Sequence, residues 1–98
     1  MTKYPCRINR PYYKDGSRND IHTYLVKQIH LPFIPQVGME VRAFPFHAGP
    51  FENVVWDMQD SFFDIFVQGV DPSQLTKGES LEKRIEVDIE MFLWELQR

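Results

Sequence analysis

Cysteine is nearly absent: Cys6 stands alone in a chain of 98 residues. One thiol excludes an intramolecular disulfide, a multi-cysteine zinc site and a CxxC redox motif, and it suits a reducing setting. Glycine is sparse and scattered, at positions 16, 38, 49, 69 and 78, so no glycine-rich phosphate loop can be assembled. Long apolar runs are missing as well. Nothing approaches the ~18 residues of a membrane span, and Pro5, Arg7 and Arg10 interrupt the apolar core that a signal peptide requires, so the expected setting is cytoplasmic, without a membrane partner. Basic excess is also lacking. The formal charge of −3 argues against a dedicated duplex-DNA binder. The charge is nonetheless uneven: Lys3, Arg7, Arg10, Lys14 and Arg18 against Asp15 and Asp20 give residues 1–20 a balance of +3, which leaves −6 for residues 21–98.

What is present is apolar and aromatic substance, 43% and 14% of the chain, enough to bury a small core. The expected organisation is a single domain, 1–98, with an N-terminal arm (1–20), a β-sheet core (21–69) and a C-terminal helix (79–98). The stretch 51–69, FENVVWDMQDSFFDIFVQG, carries two alternating runs about a polar turn and predicts an antiparallel hairpin at the centre of the sheet. Val54, Trp56 and Met58 share one face of its first arm. Phe63, Ile65 and Val67 share one face of the second, opposite Phe62, Asp64, Phe66 and Gln68. Trp56 is therefore expected in the main core.

The opening segment mixes Pro5, Pro11 and Gly16 with polar residues, which predicts at most a short edge strand around Cys6 to Ile8. The β-branched and aromatic residues of Ile21 to Leu31 predict a strand stopped by Pro32, although Ile21, Leu25 and Ile29 would also suit a helix. Pro32, Pro35 and Gly38 predict an extended connection, followed by a strand from about Met39 to Phe44 and a loop at 46–50. A strand-LPFxPxxG-strand pattern (Leu31, Pro32, Phe33, Pro35, Gly38), followed by Val54 or Val55, Trp56 and Asp57 and then Phe66 and Val67, resembles one seen in small uncharacterised bacterial proteins. The resemblance supports the strands and implies no activity.

From Glu79 to Arg98 there is neither Gly nor Pro. Residues 84–91 alternate as a strand would, but Leu81, Ile85, Ile89, Phe92, Leu93 and Leu96 also fall on one helical stripe. Twenty residues as a strand would reach about 65 Å, and as a helix about 30 Å, so the expectation is a helix from about Ser80 to Leu96. The predicted fold class is α+β: a small, antiparallel, partly curled sheet of four to five strands with one C-terminal helix.

No motif fixes a chemistry. His22 and His30 would lie ~26 Å apart along a strand, too far to share a metal, and Asp57, Asp60 and Asp64 lack the spacing of a calcium loop. No cofactor is expected. Three functions are open. Apolar surplus on the second face of the hairpin, at Val55, Phe62 and Phe66, suits a non-catalytic interaction or adaptor protein that binds another protein or itself as a homodimer. Lys3, Arg7, Arg10, Tyr12 and Tyr13 form a basic, tyrosine-containing strip suited to single-stranded nucleic acid. Third, Cys6 with a histidine could serve a small enzyme.

Overall fold

The computed structural model describes residues 3–97. The elements in chain order are β1 (Tyr4–Tyr13), β2 (Ile21–Leu31), β3 (Val41–Ala43), β4 (Phe46–Ala48), β5 (Phe51–Asp57), β6 (Phe62–Val67), a 3₁₀ turn (Pro72–Gln74), α1 (Leu81–Phe92) and β7 (Glu95–Leu96). Five strands form one open sheet in the order β5-β6-β1-β2-β7, while β3 and β4 pair separately.

The N-terminal segment is the main correction to the sequence reading. It is no arm: β1 runs ten residues through the middle of the sheet, antiparallel to β2 and parallel to β6. The sheet is therefore mixed, and the β5–β6 hairpin forms one side of it with β5 at the edge. The prolines that made β1 look irregular are accommodated by register. Pro11 O accepts from Val70 N–H at 2.9 Å, so the Pro11 ring nitrogen also faces the β6 side, where no donor is needed. Pro5 has the same parity, and both lie outside the Cys6–Asn9 stretch that pairs with β6. The partner at Pro11 comes so close that a Cβ on Gly69 would lie 2.7 Å from Pro11 O and 2.4 Å from the Tyr13 ring, so only glycine fits there.

Alternation sorts each strand onto two faces. Cys6, Ile8 and Tyr12 of β1, Leu25 and Leu31 of β2, and Ile65 and Val67 of β6 point to a covered face, where they meet Phe46, Ala48, Phe51, Ile85 and Trp94. Val54 and Trp56 lie on this face too, as expected, but Trp56 is 49% exposed: β5 carries it beyond the covering layer, where it has Phe63 beside it at 4.9 Å. Met58 is more exposed still.

Helix α1 starts where predicted, with the Ser80 hydroxyl accepting from Lys83 N–H at 3.1 Å. It ends four residues early. Leu93 adopts a left-handed conformation (φ 64°), and its N–H and that of Trp94 both bond back to Asp88 O, a left-handed stop made without glycine. The chain then turns onto β2, which seats Trp94 in the core and makes the two-residue β7. Leu96 and Phe92, expected on the buried stripe, are exposed instead. The strand predicted at 39–44 shortens to β3, and part of the predicted loop after it becomes β4. No helix among the described residues is long and apolar enough to cross a membrane.

Candidate functional site: the open face of the sheet

The second face of the sheet carries no covering layer among the described residues; β4 and α1 contribute to the cluster on the other side. Register places its side chains in rows. One row crosses Val55, Asp64, Arg7 and Gln28; the next crosses Asn53, Phe66, Asn9, Val26 and Glu95. In the second row apolar and polar groups alternate across the sheet, while the first is polar from Asp64 to Gln28.

At the centre, Arg7 and Asp64 face each other on the parallel pair β1–β6. The guanidinium donates through Nη2 at 3.1 Å and Nε at 3.3 Å, one nitrogen to each carboxylate oxygen. This two-point geometry fixes the guanidinium plane. Arg7 also lies over the Phe62 ring at 4.8 Å, a cation–π contact that pins the arginine from a second direction. Asn9 is buried beneath them. Its amide donates to Asp64 Oδ1 at 2.5 Å and to Ile65 O at 3.0 Å, so the polar group that the sheet buries here is satisfied.

Three depressions surround this centre, and Arg7 stands in the wall of each. One, of about 660 Å³, lies toward β7 and includes Val26, Gln28 and Leu96. A second, of about 360 Å³, includes Gln28, His30 and Phe62. A smaller one, of about 180 Å³, includes Asn9, Tyr24, Phe66 and Gln97. Of the residues expected to meet a protein partner, Phe62 and Phe66 are half-buried and Val55 is 44% exposed, all on this face.

The basic strip is not brought together. Arg7 and Tyr13 have open-face parity, while Arg10 and Tyr12 point to the covered side. Arg10 is paired with Asp88 at 3.4 Å and Tyr12 is fully buried. Lys3 is exposed beyond the strand, and Tyr13 lies beneath Arg18 at 5.5 Å. Burial pushes the Tyr12 hydroxyl pKa well above its ordinary value, and its hydrogen bond to Asp88 acts in the same direction.

Cys6 and His30 both border the second depression, yet they form no nucleophile–base pair. Cys6 is paired with Ile29, whereas His30 is paired with Pro5, so the thiol and the imidazole leave opposite faces. The thiol donates to Tyr4 O at 3.3 Å, and burial raises its pKa, the reverse of thiolate activation. No group of three or more potential metal ligands occurs among the described residues. Asp57 has a local role, accepting from Gln59 and Asp60 N–H at 3.0 and 3.1 Å in the β5–β6 turn.

Sequence reasoning missed the centre of the site because Arg7 and Asp64 meet only through a parallel pairing of segments 57 residues apart. Alternation alone could have put Arg7 and Asn9 on one face of β1. Comparison of the chain with protein-family models, with curated proteins and with solved structures gave no match.

Proposed function

We propose that the protein is a small non-catalytic interaction module whose open sheet face receives another protein surface, a second copy of the chain being the form to test first. The observation that carries this reading is a sheet face with half-buried Phe62 and Phe66 and exposed Val55 arranged around an ordered Arg7–Asp64 pair. Aromatic and arginine side chains held in fixed positions are the groups that anchor protein interfaces, because little conformational freedom remains to be lost on binding. Among the described residues the face holds no surplus of cations for a phosphate backbone, since its central arginine is already neutralised.

Phe66→Glu tests the reading. The substitution sets a second carboxylate near Asp64 on the open face and leaves the covered-face cluster untouched. Sedimentation equilibrium is expected to show a concentration-dependent dimer for the wild type and a monomer for the variant, with the two melting alike. A wild type that stays monomeric at its highest soluble concentration overturns self-association. A variant that unfolds shows Phe66 to be core.

A further inference from the structure

A polar cleft of about 180 Å³ opens at the margin of the covered face, walled in part by Arg10 of β1, His47 of β4, Gln68, Gln74 of the 3₁₀ turn and Arg84 of α1. The two arginines share one carboxylate. Asp88, 2% exposed, receives Arg10 Nη1 and Arg84 Nε, each at 3.4 Å, and the Tyr12 hydroxyl donates to it as well. Asp88 and Glu79 together balance the two guanidiniums in charge, so the cleft gains no surplus cation but the guanidinium N–H groups that neither carboxylate receives. Glu79 lies 3.9 Å from Arg84 Nη1, and Glu40 lies 3.4 Å from His47 Nε2, but neither borders the cleft. No carboxylate does so among the described residues.

The donors are also held in place. Asp88 grips both guanidiniums from below, and Arg10 is further stacked on the Trp94 ring at 4.5 Å. Gln74 Oε1 already accepts from Asp71 N–H at 2.8 Å, so only its NH₂ group is left to offer a ligand. The wall therefore presents fixed, charge-assisted donors and, among the described residues, no carboxylate of its own, an arrangement that suits an oxyanion.

We propose that this cleft binds a phosphate-sized oxyanion, either inorganic phosphate or the phosphate of a phosphomonoester. The site does not involve the open face and stands or falls separately from it. Trp94, beneath Arg10, is the reporter; Trp56→Phe removes the exposed second indole. Titrating that protein with sodium phosphate, against sodium chloride at matched ionic strength, is expected to give a saturable change in Trp94 emission and a rise in melting temperature. Gln74→Glu preserves the acceptor for Asp71 N–H and adds a carboxylate to the wall. It should weaken phosphate binding about tenfold or more while leaving the circular dichroism spectrum unchanged. Arg84→Gln, which leaves Arg10 and Tyr12 on Asp88, should do the same. Glycerol phosphate in a parallel titration separates the two sources: tighter binding than inorganic phosphate assigns the site to a phosphomonoester, and weaker binding assigns it to the free ion. No saturable response to either ligand beyond that of chloride, or binding undiminished in Gln74→Glu, overturns the proposal.

Discussion

Replacing Asp88 by Ala should be among the most damaging single changes in this chain, although Asp88 lies on a helix otherwise rich in exposed acids. The carboxylate is buried and receives donors from two elements: Arg10 and Tyr12 from β1, and Arg84 from its own helix. Removing it leaves two guanidiniums and a phenol without their shared acceptor. Side-chain exposure of 17% for Arg10 and 33% for Arg84 gives water partial access. Breaking a buried pair from one side costs about 3–5 kcal/mol, and the partial access points to the lower end, about 3 kcal/mol. A domain of this size has about 5–15 kcal/mol in total, and each kcal/mol moves its melting temperature by about 4–8 °C. The expected loss is thus more than 10 °C, read by circular dichroism or urea denaturation. Asp64→Ala is the internal control: it breaks an Arg pair of shorter distance but greater exposure, 31% and 18% for the two side chains, and should cost only about 1 kcal/mol. If Asp88→Ala costs no more than Asp64→Ala, burial does not set the strength of these pairs and the Asp88 cluster does not hold α1 to β1.

Trp94→Ala should cost about 3–5 kcal/mol in urea melts, whereas Trp56→Ala should cost about 1 kcal/mol, because only Trp94 is enclosed; equal losses would refute this placement. The raised Tyr12 pKa predicts alkaline lability: above about pH 10 the unfolded chain ionises this tyrosine while the folded one does not, so stability should fall steadily as pH rises further. Tyr12→Phe should flatten that limb of the stability–pH curve, and an unchanged slope would assign the lability elsewhere. Leu93→Gly, at φ 64°, should raise the urea midpoint through relief worth up to about 1 kcal/mol; a lowered midpoint would show that the Leu93 side chain contributes packing that outweighs its strain.

The elements that local chemistry decides were legible. Strand β2 has the predicted limits, Ile21–Leu31, because β-branched residues and the Pro32 stop act within the segment. Ser80 marks the start of α1 for the same reason. The assignments that failed depend on distant partners. Pro5 and Pro11 look like strand breakers until it is known which side of β1 each ring nitrogen faces, and that is set by residues more than 50 positions away. The end of α1 carries no glycine, so periodicity ran on through Leu96, while the burial of Trp94 favours a left-handed Leu93 that no local preference would select. At the open face, Phe62, Phe66 and Val55 could be placed together from alternation alone. Arg7 could not be set beside them, since the opening segment predicts at most a short edge strand and carries no sign of its pairing with β6.

The parallel pairing of β1 with β6 also bears on how the protein is made. Strands β1 and β2 are neighbours in sequence and can zip as soon as the first third of the chain has emerged from the ribosome. The other side of β1 must then wait for Phe63 to Phe66, and the free side of β2 for Glu95 and Leu96. During synthesis the nascent hairpin therefore exposes Ile8, Tyr12 and Leu25, all fully buried at the end, together with two unpaired strand edges, the combination most open to association with other chains. Trp94, which helps to cover that face, comes 63 residues after the end of β2 at Leu31. The sheet is thus completed only once the segments from Phe62 to Leu96 have been made, and a chain cut before Phe62 would leave the same two strands bare.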